Sequence, residues 1–172
     1  MLMHKSLIFT VTVMLASPGW VWAQEPTAHF AKLNLDESVL VSTIGSSEEG
    51  TNVVSGETGG SFSLTALSRY DEAGNLCSGY SYDSNLPNHI LELTQPVDEL
   101  SIWVNSRGQD TTLLIRGDDR VDCGDDLNPL NADAGISRKD WQPGIYQIWV
   151  GASVPGNNYR YQLQVQRGGL PE

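Results

Sequence analysis

The sequence predicts an all-β chain folded as an antiparallel β-sandwich, on three observations. Apolar and polar residues alternate with period two in several segments, as in strands that bury one face. Clusters of Gly, Pro, Asn, Asp and Ser separate those segments, supplying the backbone conformations that turns require. No segment carries a helical apolar period long enough for the crossover helices that a parallel sheet needs.

The elements follow in chain order. Met1 to Lys5 carries a lysine and a histidine, residues 7–16 are apolar apart from two threonines, and Pro18 and Gly19 precede Val21, Trp22 and Ala23. This reads as a secretory signal peptide, residues 1–23, cleaved after Ala23. Its apolar run is about ten residues against the roughly twenty that span a bilayer, so no membrane span is expected. Residues 24–58 read as an N-terminal extension with an edge strand; Val39 to Ile44 is the strand-like part, and residues 24–35 form a leader or a further edge strand. Residues 59–172 then hold the sandwich.

Within it, Phe62, Leu64 and Ala66 alternate with Ser61, Ser63 and Thr65, which predicts a strand over 61–67. A short strand is expected over Ile90 to Thr94. Leu100, Ile102 and Val104 alternate with Ser101, Trp103 and Asn105; Thr111 to Ile115 and Ile145 to Val150 are β-branched runs; and Tyr159, Tyr161, Leu163 and Val165 share one side of the last strand. Turn-forming clusters lie at residues 45–50, 59–60, 71–75, 142–144 and 155–158.

The chain has 172 residues, with 10 basic and 21 acidic side chains and a net charge of −11. Cleavage after residue 23 leaves 149 (172 − 23) residues and removes Lys5 alone among the charged ones, so the exported form carries −12 (9 − 21). That length suffices for one domain with a proper core. An acidic surface repels phosphate backbones and anionic membranes, so nucleic acid is not an expected partner. Two cysteines, Cys77 and Cys123, form no CxxC pair and have no histidines close by in sequence for zinc. In an exported protein they are expected to form a disulfide with a structural role.

Several stretches, in this order, resemble bacterial pre-peptidase C-terminal domains: "LCSGY" at 76–80, "LPNHILEL" at 86–93, "DTTLLIRG" at 110–117, "DCGDDLNP" at 122–129 and "WQPGIYQIWVG" at 141–151. The likeness covers Gly59 to Arg167. It implies a β-sandwich of jelly-roll type that accompanies secreted enzymes as a non-catalytic appendage, and related collagen-binding domains bind calcium. No attached enzyme domain is expected, so a partner is expected from a separate chain.

For catalysis, only His29 and His89 remain after the signal is removed. His89 follows Leu-Pro-Asn and reads as a surface or turn histidine; His29 falls in the leader, a poor place to hold a catalytic group rigid. No G-x-S-x-G elbow occurs. The many carboxylates leave one alternative, a small secreted carboxylate-dependent hydrolase.

The densest run of chemistry is "VDCGDDLNP" at 121–129, where six carboxylates fall between Asp118 and Asp133. Asp122, Asp125, Asp126, Asn128 and Asp133, with Asn131, offer the oxygen ligands that calcium takes. The spacing is not that of an EF-hand, because Leu127 stands where the turn glycine belongs. The competing reading is a solvated turn partly neutralised by Arg116, Arg120 and Arg138, since Asp, Asn, Gly and Pro are ordinary turn residues. Transition metals are disfavoured, with no histidine or free thiol in the run.

Trp103 and Trp149 stand on the polar side of their strands and make a candidate aromatic binding surface, unless another segment covers the rings. Together these readings predict an exported module, periplasmic or extracellular, that binds an envelope or extracellular protein or polymer. No cofactor other than calcium is expected.

Overall fold

A computed structural model describes residues 40–44, 51–83 and 86–171. The signal peptide, the leader with His29, and Val39 lie outside them. Twelve strands form among the described residues: β1 (Leu40–Ile44), β2 (Asn52–Glu57), β3 (Phe62–Ser63), β4 (Tyr80–Ser81), β5 (His89–Leu93), β6 (Val97–Asn105), β7 (Thr111–Gly117), β8 (Arg120–Gly124), β9 (Asp126–Asn128), β10 (Asn131–Trp141), β11 (Gly144–Ala152) and β12 (Arg160–Arg167).

They make two sheets. The first runs β1-β5-β11 and continues through β7 to β8, with the short β4 and β3 joined to the far end of β11. The second runs β2-β12-β6-β10-β9. Pairing is antiparallel except between β1 and β5, which run parallel. Leaving out β1, β3, β4 and β9, the chain crosses between sheets at every step but the β7–β8 hairpin, so that β2-β12-β6-β10 faces β5-β11-β7-β8. This is the strand order of a jelly roll, two Greek keys wrapped into a sandwich.

Apolar rows across neighbouring strands explain the register. Val165 stands opposite Ile102 and Leu163 opposite Val104, while Ile136 meets Ile102 from the other side. In the first sheet Ile148 lies beside Ile115 and Val150 beside Leu113. These rows face one another in the main core, together with Leu91, Leu93, Leu100, Trp141, Tyr146 and Tyr161. A one-residue slip would turn every such row to solvent, at a cost of about 1.5–3 kcal/mol for each large side chain.

A second, smaller core sits on the outer face of the first sheet. Trp149, Leu114 and Cys123 form one row across β11, β7 and β8, and Leu64 and Cys77 cap it. The cap is the segment from Leu64 to Ser78. Sequence alternation predicts a strand over 61–67, but the strand stops at Ser63 and residues 64–66 form a single 3-10 turn, closed by the Leu67 N–H to the Leu64 carbonyl at 2.9 Å. Burial of Leu64 against the Trp149 row wins over its strand pattern.

The acidic run also departs from expectation. It is largely extended, forming β8, β9 and the start of β10. Asp118 and Asp119 make the two-residue β7–β8 turn with φ of 53° and 54°, the left-handed pair that a tight hairpin demands and that Asp tolerates. The eleven residues of β10 escape a hydrophobic pattern search because an inward position holds Arg138 and Gly135 leaves no side chain.

Candidate functional site

Extended backbone sends successive side chains to opposite faces, so the acidic run does not gather into one ligand shell. Asp122 on β8 points between the sheets, where the Arg138 guanidinium donates to it at 2.5 Å and Arg120 stands 3.6 Å away. Arg138 stacks on the Trp141 ring at 3.7 Å from its centroid. Burial, with the Asp71 charge adding to it, raises the Asp122 pKa even though Arg138 and Arg120 pull it down.

Asp133 is buried and accepts hydrogen bonds from the Ser106 N–H at 2.8 Å, the Gly108 N–H at 3.0 Å and the Ser106 hydroxyl, so it organises the β6–β7 loop. The Asn128 side chain accepts from the Leu130 N–H at 3.0 Å and shapes the β9–β10 turn. The expected ligand set of Asp122, Asp125, Asp126, Asn128 and Asp133 is therefore divided, with Asp122, Asn128 and Asp133 engaged by protein donors.

Asp125 and Asp126 remain together, and Asp110 joins them from the β6–β7 loop. One carboxylate oxygen from each lies within 4.8 Å of the others, and all three residues are exposed. Partial burial raises the Asp125 pKa, and the neighbouring Asp126 and Asp110 charges raise it further. The loops are positioned by the Asp125 carbonyl accepting from the Gly135 N–H at 3.1 Å and the Asp110 carbonyl accepting from the Ser153 N–H at 3.2 Å. Asp110 is missed from sequence because it lies in the β6–β7 loop, remote in sequence from the acidic run. The available clue is the β7–β8 hairpin, which returns residue 124 to the level of residue 113.

Cys77 and Cys123 are bonded, with Cα atoms 5.2 Å apart. The bond ties the 64–78 cap to β8. Asp71 reinforces it by accepting from the Asn75 N–H at 2.7 Å, the Ala73 N–H at 3.0 Å and the Cys123 N–H at 3.3 Å. Burial opposes ionisation of Asp71, but hydrogen bonds from Asn75, Cys123 and Ala73 outweigh it and hold the carboxyl below its usual pKa.

The two tryptophans are covered. Trp149 is 1 % exposed beneath the 64–78 cap, with Arg116 over its ring at 5.5 Å. Trp103 is 7 % exposed on the outer face of the second sheet. Gly135 lies opposite it in register, and the Leu127 and Leu170 side chains occupy the room that a side chain at Gly135 would need. Neither ring is an open stacking surface.

His89 corrects its sequence reading as a surface or turn residue. It begins β5, is 2 % exposed, and its Nε2 lies 2.8 Å from the Tyr161 hydroxyl. Burial lowers its pKa to about 4 and pushes that of Tyr161 well above the ordinary tyrosine value. The clue available in sequence was the alternation of His89, Leu91 and Leu93. Among the described residues, no helix is long and apolar enough to cross a membrane.

Comparison of the chain with protein-family models, with curated proteins and with solved structures finds no match.

Proposed function

We propose that this protein is an exported, non-catalytic β-sandwich that acts as a binding or accessory module. The observation that carries the reading is that the groups suited to chemistry are engaged in holding the fold. His89 is buried against Tyr161, both cysteines are bonded, Asp122 is paired with Arg138, and Asp133 organises a loop. A general base near neutral pH needs access to a substrate proton and a pKa near that of the medium; His89 has neither. The disulfide supports an oxidising destination. The likeness to pre-peptidase C-terminal domains supports an accessory role.

The cation part of this reading rests on Asp110, Asp125 and Asp126, the exposed acids whose oxygens lie close enough to share an ion. Calcium there would supply fold stability and no reaction step. The same cluster is what a carboxylate-dependent hydrolase would have to use, but all three residues are exposed, and none has the enclosed, apolar setting that creates a general acid. A panel of chromogenic glycoside and ester substrates tests the choice. The mature chain is expected to turn over none above a heat-denatured control, whereas turnover abolished by Asp125→Asn would establish the hydrolase.

A further inference from the structure

We propose that the loop end of the sandwich around Tyr82 binds a neutral carbohydrate, with the Tyr82 ring as stacking surface and the Asn157 and Asn158 amides bonding its hydroxyls. The proposal rests on the binding-module reading and names the ligand class for it. Tyr82 is 58 % exposed, yet its ring is fixed from below. Its hydroxyl donates to the Thr58 carbonyl at 3.2 Å and accepts from Asn158 Nδ2 at 3.1 Å. The ring tip lies on Gly59, where a Cβ would overlap Cζ and the hydroxyl oxygen. At Gly60 a Cβ would run into the Tyr82 backbone and the Ser81 carbonyl. Two consecutive glycines thus form the shelf that this ring requires.

The shelf is itself locked to the 153–159 loop. The Thr58 N–H donates to the Tyr159 carbonyl at 2.9 Å, the Thr58 hydroxyl donates to the Asn157 carbonyl at 3.0 Å, and the Gly156 N–H donates to the Gly60 carbonyl at 2.7 Å. Asn157 Nδ2 is held by the Tyr159 hydroxyl at 2.6 Å. An exposed aromatic ring fixed in this way loses little freedom when a ligand covers it, which is where binding energy is otherwise dissipated.

The chemistry around the ring selects the ligand. Thr58, Gly59, Gly60, Ser61, Asn157 and Asn158 carry no charge; charge enters only at the rim, with Asp83 next to Tyr82 and Glu57 paired with Arg160. Asn158 spends one amide hydrogen on Tyr82, leaving a second hydrogen and its oxygen, and the Asn157 amide oxygen is a further acceptor. A sugar ring presents a C–H face to the aromatic ring and hydroxyls that donate and accept at once, which these groups match. A protein partner would need roughly 800 Å² of contiguous surface on this side, far more than one ring and two amides provide. One stacking contact and a few neutral hydrogen bonds give weak affinity, so a polymer that offers many equivalent sites is the ligand form to probe.

The test is native gel electrophoresis of the mature chain through gels cast with neutral polysaccharides (amylopectin, laminarin and galactomannan) and with anionic alginate as a control. Retardation is expected in at least one neutral gel and not in alginate. Tyr82→Ala should weaken that retardation about tenfold or more, Tyr82→Phe should retain most of it, and Asn158→Ala should weaken it severalfold. Tyr70→Ala removes a ring of similar exposure, 52 %, on the 64–78 cap and should migrate as the parent does. Melting curves identify any variant that fails to fold, in which case Asn158→Ala decides. No retardation in any neutral gel, or retardation that survives loss of the ring or amide, overturns the proposal. If immobilised mature chain still captures a partner protein in that case, the carbohydrate assignment fails and the binding-module reading stands.

Discussion

His89 shows how a residue that reads as a surface or turn histidine in sequence can be part of the core in the fold. Its ring is inside the sandwich, where a positive charge is costly, and Nδ1 has no hydrogen-bond partner. The folded pKa of about 4 lies below the ordinary 6.5, so between those values the unfolded chain binds a proton that the folded one refuses. Stability should therefore be level in this respect above pH 6.5 and fall as pH drops towards 4, by about 3 kcal/mol over the whole window. Urea unfolding of the parent and of His89→Gln at pH 7, 5.5 and 4 would measure it; equal pH slopes for the two would contradict the account.

The Arg138–Asp122 pair closes the gap between β8 and β10 with charges in place of apolar side chains. Removing Arg138 alone, as Arg138→Met, leaves Asp122 desolvated without its partner and should cost about 3–5 kcal/mol. Adding Asp122→Leu should restore much of that loss, because the stranded charge goes too. A double-mutant cycle read by denaturant unfolding reports the coupling directly. Additive losses would mean that the pair is not coupled in the fold.

At the scale of elements, the 64–78 cap depends on the disulfide more than on strand pairing. Reduction should cost about 4 kcal/mol by loop entropy. It should also red-shift Trp149 fluorescence as the second core opens, and allow trypsin to cut at Arg69. Unchanged fluorescence and resistance to trypsin after reduction would show that Leu64 and Leu67 hold the cap by themselves. The acidic cluster is an element-scale matter as well, since three carboxylates from the β6–β7 loop, the β8–β9 connection and the start of β9 are brought together. Millimolar calcium is expected to raise the melting temperature by several degrees over chelator by mass action. Asp125→Asn combined with Asp126→Asn should abolish the difference, and identical melts with and without calcium would remove the ion from the proposal.

These elements also show where sequence reasoning succeeds. The strands β5 and β12 are legible because their burial alternates, and β6, β7 and β11 because their residues are apolar or β-branched over a run of strand length. β10 is not, because Arg138 takes an inward position that a hydrophobic pattern assigns to solvent. The run 121–133 has the composition of one loop, whether a calcium site or a solvated turn, yet strand geometry splits its acids between faces. Of the candidate cation site, Asp125 and Asp126 were found and Asp110 was not, because a contact across a hairpin leaves no local spacing to detect. The covered state of Trp103 and Trp149 depends on Leu170 and on the 64–78 cap, segments remote from either ring in sequence.

For the whole molecule, the jelly roll places the loops at residues 58–61, 106–110 and 153–159, with the connections on either side of β9, at one end of the sandwich. That end carries both the Asp110, Asp125 and Asp126 cluster and the Tyr82 shelf, so the fold gathers these groups at one end, on connections that the strands hold in place. The central claim, that the protein works by binding, is tested most directly by immobilising the mature chain, passing the contents of its own periplasm or culture medium over it, and analysing what is retained for protein and for polysaccharide. The account predicts a specific retained partner that Tyr82→Ala releases. Retention of nothing beyond an unrelated acidic β-sandwich control would contradict it.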